Sequence, residues 1–191
     1  MGNPGHRLGA SGTNLENTIE GLRRSLDVSS DPKFKYWEFD IRESSDGVLF
    51  VFHDDTIDSG DSKFETSRMK FAKIFEAGME LGIRIPTFKE VILELEDREE
   101  SVMVEIKHIL TDGARREVID SLSSRERWKV MATPERFEKI FPPETREEWE
   151  KAFGIAGVEL VRVGRHRVDL FKSSKSPIRW FLARRKWLFG L

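Results

Sequence analysis

Trp37-Glu38-Phe39-Asp40-Ile41 alternates apolar and acidic side chains over five positions. On an extended strand, residues two apart share a face, so Glu38 and Asp40 point one way and Phe39 and Ile41 the other. Their Cα atoms would sit roughly 6–7 Å apart, close enough for the carboxylates to share one hard cation. An acidic pair in a β-run calls for partners, and the chain offers three sets. These are His6-Arg7 near the start, His53-Asp54-Asp55 after the next strand, and Glu105-Ile106-Lys107 further on.

Outward from that stretch the chain reads as alternating helices and strands. Residues 1–12 are glycine-rich and loop-like. Thr13 with Glu16 three residues on has the form of a capping box, and Leu15, Ile19, Leu22 and Leu26 repeat at helical spacing. Together they predict a helix from 13 to about 27. Residues 36–43 read as a strand, Ser44-Ser45-Asp46-Gly47 as a turn and 48–52 as a second strand, so this region should be a hairpin. With Glu43 opposite Val48, Asp40 would face Val51 and Glu38 would face His53, which returns the histidine beside the carboxylates. Residues 57–68 are polar and irregular. Helices are expected at about 67–81, at 88–95 behind Ile85-Pro86-Thr87, near 112–122, at 134–141 and at 145–153. Further strands are expected at 102–107, 128–132, 158–163 and 168–171. In the first of these, Val102, Val104 and Ile106 share one face while Met103, Glu105 and Lys107 share the other. Helices and strands in this order favour an α/β fold.

The 191 residues fit one domain as the default. Hydrophobic residues make up 38% and charged residues 35%, a balance that suits a globular core under a heavily charged surface. The net charge of −2 provides no global field towards nucleic acid, and no nucleic-acid-binding motif is recognisable. The absence of cysteine excludes disulfides and thiolate metal sites and suits a reducing compartment. No stretch approaches the roughly 20 apolar residues of a membrane span, and the N-terminus lacks a signal-peptide core. A cytoplasmic protein is the simplest expectation.

Seven short motifs follow one another in order: Gly5-His6-Arg7, Glu16-Asn17-Thr18, Glu38-Phe39-Asp40, Asp46-Gly47-Val48, Phe52-His53-Asp54, Ile85-Pro86-Thr87 and Glu105-Ile106-Lys107. In order and spacing this series resembles the glycerophosphodiester phosphodiesterases over about residues 5–107. The resemblance implies a (β/α) barrel of the phosphatidylinositol-phospholipase-like type. It also implies metal-dependent hydrolysis of a glycerophosphodiester to an alcohol and glycerol 3-phosphate. By the same resemblance, Glu38, Asp40 and Glu105 would hold one Mg²⁺ or Ca²⁺, since hard cations prefer carboxylate oxygens. Arg7 and Lys107 would bind the substrate phosphate. His6 and His53 would be the general acid and base, roles that suit a side chain titrating near neutral pH. Which histidine takes which role, and whether the attacking group is water or a substrate hydroxyl, stay open.

Each piece also has a plainer reading. Glu38 and Asp40 could be the solvated face of an edge strand, and Glu105 with Lys107 an exposed ion pair. His53 could simply cap its strand. Glu16 reads as a capping-box residue, Asp46-Gly47 as turn chemistry, and Asp54 and Asp55 as orienters of His53 or loop solvation. His108 and His166 match no motif and read as surface residues. Two rivals to the enzyme follow: a non-catalytic relative that binds a phosphorylated ligand, and a phospholipase-D-like enzyme acting on lysophospholipids.

The chain departs from the family pattern in three places. Only five residues precede His6, where the family has an apolar strand, and Leu8 stands where it has a glycine. The loop after His53 lacks the family's Arg-Thr-Thr-like stretch. A complete (β/α)₈ barrel needs about 250 residues, so the expected architecture is a shortened or incomplete TIM-type barrel over 1–171. A partner subunit, in a homo-oligomer, is one way of closing it. Residues 172–191 form a basic, aromatic tail. If helical, Ile178, Phe181, Leu182, Leu188 and Phe189 share a face that could lie on an anionic membrane, although packing on the domain or on a second subunit is the simpler use.

Overall fold

The computed structural model describes residues 2–123 and 125–162. Its framework is a five-stranded sheet in the order β2-β1-β5-β6-β7. β1 (Trp37–Glu43), β5 (Val102–His108), β6 (Trp128–Ala132) and β7 (Glu159–Arg162) run parallel, and β2 (Leu49–Val51) is an antiparallel edge strand on β1. β3 (Thr56–Ser59) and β4 (Ser62–Glu65) form a separate hairpin.

The alternation in β1 decides which side of the sheet becomes the core. Trp37, Phe39 and Ile41 join Val102, Val104 and Ile106 of β5 and Trp128, Val130 and Ala132 of β6 in one large apolar cluster. Four helices supply its other side: α3 (Phe88–Leu95), α4 (Asp112–Leu122), α5 (Pro134–Ile140) and α6 (Arg146–Ile155). They contribute Phe88, Val91 and Leu95, then Val118 and Leu122, then Phe137 and Ile140, and finally Trp149 and Phe153. α3 begins with the Thr87 and Glu90 capping box expected from Ile85-Pro86-Thr87. A smaller cluster joins Phe50 and Ile85 to Ile57 of β3 and to Ile74 and Ala77 of α2 (Phe71–Glu80).

The opposite face of the sheet carries Glu38, Asp40, Met103, Glu105 and Met131, the side that a closed barrel would turn inward. Among the described residues the sheet does not close into a barrel, so the shortened α/β architecture is the one observed. The β2 edge is covered where Val51 N donates to Pro86 O at 2.9 Å and Phe50 bridges to Thr87. No helix among these residues is long and apolar enough to cross a membrane.

Three local expectations are corrected. The helix expected from 13 to 27 is confined to α1 (Ile19–Arg24), followed by a 3₁₀ turn at Leu26–Ser30. Thr18, not Thr13, is its N-cap and accepts from Gly21 N. Asn17 has φ of 60°, a left-handed conformation that stops the helix from extending backwards. The irregular region near 57–68 instead contains the β3–β4 hairpin. The β1–β2 register pairs Glu43 with Leu49, one residue away from the expected Glu43–Val48 pairing. The cause is a three-residue loop. Ser44 N donates to Val48 O at 3.0 Å, and Gly47 at φ 81° takes the left-handed position that such loops require. The strand expected at 168–171, His166 and the tail at 172–191 lie outside the described residues.

Candidate active site

Parallel pairing builds the acidic centre. Glu38 is in register with Met103, and Asp40 with Glu105, so the β5 carboxylate arrives beside the β1 pair on the same face. One oxygen from each of Glu38, Asp40 and Glu105 lies within 4.8 Å of the others. The three residues are 1%, 0% and 7% exposed, which rules out a solvated edge-strand face. Three buried acids repel one another and need positive charge. Lys107 supplies part of it: its ammonium donates to Glu105 Oε1 at 2.6 Å and lies 3.0 Å from Asp40 Oδ1. That second contact is an ion pair without hydrogen-bond alignment, since Asp40 Oδ1 has no hydrogen-bond partner. Glu38 Oε1 is likewise buried and without a partner. Burial, reinforced by the neighbouring Asp40, pushes the Glu38 carboxyl well above the usual carboxylate range. A clustered all-oxygen donor set with two buried acceptors that lack hydrogen-bond partners fits a hard divalent cation.

The N-terminal loop reaches this centre without a strand of its own. Gly5 O accepts from Glu38 N at 2.9 Å and Leu8 N donates to Glu38 O at 2.7 Å, so residues 5–8 run against β1. Gly5 permits that approach, because a Cβ there would meet Tyr36 O at 2.2 Å. Arg7 and Leu8 take φ of 51° and 58°, a strained turn for non-glycine residues. The turn brings Arg7 N to Glu38 Oε2 at 3.0 Å and leaves His6 Nε2 at 3.4 Å from the same oxygen. The other ring nitrogen of His6 is hydrogen-bonded to Ser11 Oγ at 2.9 Å. Burial, then the Arg7 charge, holds His6 below the usual imidazole range, which favours the neutral ring. Arg7 Nη1 donates to Glu16 Oε1 at 2.6 Å, while its Nε lies 3.7 Å from Asp40 Oδ2 and has no hydrogen-bond partner. A cavity of about 540 Å³ opens beside His6, Ser11 and Glu38.

Two residues had no site role in the sequence reading. Glu16 is not a capping residue; it bridges Arg7 and the Gly12 amide, the latter at 2.9 Å. Asn17, 1% exposed, donates from Nδ2 to Asp40 Oδ2 at 2.7 Å and accepts from Asp40 N at 3.2 Å. The signal for both was Asn17 itself. Asparagine is favoured in left-handed conformations and before helices, and here it interrupts a helical pattern.

His53 reaches the region differently from the expected hairpin route. With the register moved by one, Phe52 N donates to Asp40 O at 3.0 Å, and Glu38 has no hairpin partner in His53. The His53 ring is instead paired through Nδ1 with Asp54 Oδ1 at 2.7 Å. Nearby His108 is half-buried rather than a surface residue, and burial, then Arg42, holds its imidazole below the usual range.

A family model described as the glycerophosphoryl diester phosphodiesterase family matches residues 6–144, nearly the whole of the described fold. The chain belongs to this family. A curated glycerophosphodiester phosphodiesterase from Caldanaerobacter subterraneus subsp. tengcongensis is 31% identical over 117 residues, covering 56% of this chain. The chain spans 46% of the length of that relative. Among solved structures, a candidate glycerophosphoryl diester phosphodiesterase from Silicibacter pomeroyi superposes with a TM-score of 0.61 at 15% identity, over 93% of this chain and 70% of that one. An Oleispira antarctica phosphodiesterase, solved with the product sn-glycerol 3-phosphate, gives 0.51 at 20% identity, over 80% of this chain and 70% of its own. At these identities the solved structures establish a shared fold.

Proposed function

We propose that this family member is a metal-dependent phosphodiesterase that hydrolyses glycerophosphodiesters to an alcohol and glycerol 3-phosphate. The observation that carries this reading is the buried convergence of Glu38, Asp40 and Glu105, with two acceptor oxygens lacking hydrogen-bond partners. These residues would hold one Mg²⁺ or Ca²⁺, which when bound supplies positive charge against that developing on the phosphoryl oxygens.

The chain's own groups do the rest. Arg7 and Lys107 stand at the edge of the carboxylate cluster and would orient the phosphate, with the Arg7 Nε–H free to donate. His6, its neutral ring favoured and held through Ser11, would accept the proton of the attacking hydroxyl. His53, its Nδ1 committed to Asp54, would give a proton from Nε2 to the departing alkoxide.

Release of the alcohol from a panel of glycerophosphodiesters and lysophospholipids, with and without chelator, tests the proposal, the second product being glycerol 3-phosphate from the former and lysophosphatidic acid from the latter. Release should require the cation and should be lost in His53→Ala. Activity that survives chelation or that substitution would sink the mechanism. Turnover of lysophospholipids alone would select the phospholipase reading, and no turnover at all the non-catalytic one.

A further inference from the structure

Arg42 lies two residues beyond Asp40 on β1, and the proposed mechanism does not use it. It is 2% exposed. A guanidinium at that depth is costly unless its N–H groups are satisfied. Those of Nε and Nη2 are satisfied by one segment. Nε and Nη2 donate to the main-chain carbonyl of His53 at 3.3 and 3.0 Å, and Nη2 also donates to Asp55 Oδ1. Arg42 arrives there at an irregularity in the β1–β5 pairing, which jumps from Ile41–Ile106 to Arg42–His108 and leaves Lys107 as the extra residue of β5.

The held segment needs an anchor. β2 ends at Val51, so His53 and Asp54 lie beyond the sheet ladder. On the far side, Asp55 O accepts from Thr66 N at 3.0 Å and from Thr66 Oγ1 at 3.1 Å, and Thr66 is fully buried. Asp55 also lies 3.8 Å from Arg136 of α5, which donates to the main-chain carbonyl of Lys107 at 2.7 Å. The same cluster therefore touches the loop bearing His53 and the strand end bearing Lys107.

We propose that Arg42 and Asp55 form a positioning clamp that sets His53 relative to the carboxylate cluster. The inference rests on the phosphodiesterase reading for its kinetic consequence but not for its structural one. Sequence proximity points to Asp54 as the partner of His53, and Asp54 does pair with the ring. The clamp acts one level further out, on the main chain that carries the ring, and so decides where the imidazole stands.

The test uses the full chain with Asp55→Asn and Arg42→Lys. The Asp55 side chain is 72% exposed, so its variant should fold even if the buried arginine variant does not. In Asp55→Asn, kcat for glycerol 3-phosphate release should fall roughly 10- to 100-fold, with KM within about threefold. Divalent-cation affinity, measured by calorimetry with Mg²⁺ and Ca²⁺, should stay unchanged. The ¹⁵N signals of the His53 ring, assigned with His53→Gln, should shift. Arg42→Lys should likewise lower kcat and shift the His53 signals while leaving KM and cation affinity near wild type, because an ammonium lacks the planar fork that holds the carbonyl and the carboxylate together. A folded Asp55→Asn protein with wild-type kcat and wild-type His53 signals would overturn the clamp. So would loss of activity with the His53 signals unmoved, or with cation affinity lost in parallel. If the wild-type chain turns over no diester, the functional proposal fails by itself, and the His53 signals still decide the clamp.

Discussion

Glu38 shows how burial and charge work against each other in this site. Its carboxyl is pushed upward by burial and then by Asp40, so Glu38 contributes most to the stability of the metal-free protein where it keeps its proton. A raised folded-state carboxyl contributes stability that is present at low pH and is lost as pH rises through the folded value. Glu38→Gln should therefore stabilise the metal-free protein at pH 7–8, by about 1 kcal/mol or 2–4 °C in Tm. It should also abolish the response to divalent cation, both checked by calorimetry. In the wild type a cation must displace that proton, so affinity should rise with pH and binding should release protons into the buffer. Asn17 tests the support of this centre. Asn17→Gly keeps the left-handed backbone but removes both hydrogen bonds to Asp40, and should weaken cation binding roughly tenfold without unfolding the chain. Glu38 and Asp40 were legible from their two-residue spacing on one strand, and Glu105 from the family resemblance. Asn17 was not, because its partner lies 23 positions away and no local period links them.

Helix and hairpin boundaries follow local chemistry where a side chain caps its own backbone, and depart from it where the loop geometry intervenes. Thr87 and Glu90 exemplify the first case, with a reciprocal capping box at the start of α3. Burial raises the Glu90 carboxyl, but hydrogen bonds from Thr87 and Arg84 outweigh it and hold it below the usual range. The contribution of a depressed carboxyl is present at neutral pH and disappears as pH falls through the folded value. Thr87→Ala should cost about 1 kcal/mol in denaturant unfolding at pH 7, with the difference from wild type shrinking in acid. The β1–β2 hairpin exemplifies the second case. Asp46-Gly47 announced a turn, yet the loop is three residues long because Ser44 closes it through its main chain and Gly47 takes positive φ. One residue of loop length moved the register and separated His53 from its expected place opposite Glu38.

For the molecule as a whole, the sheet puts a dry apolar core on its helix side and a polar centre on the other, within one continuous set of strands. Because the centre should bind cation only when folded, saturating Mg²⁺ or Ca²⁺ at about 100 times Kd should stabilise the protein by about 2.7 kcal/mol, reversed by chelator. Thermal unfolding at several cation concentrations checks this, and a Tm independent of cation would argue against a metal centre. Strand alternation, the capping signals and the α/β order of elements could be read directly from the chain, because each depends on residues a few positions apart. So could the shared face of Glu38 and Asp40, since a strand's period of two assigns its faces without reference to any other strand; Glu105 was joined to them only by the family resemblance. What the residue order alone left undetermined is which strands lie side by side. Parallel pairing of β1 with β5 brings Glu105 to Asp40 across 65 positions, and backbone bonds from Gly5 and Leu8 to Glu38 seat His6 and Arg7. These contacts are non-local, and burial of the shared apolar face selects them. That selection turns separate acids into one site.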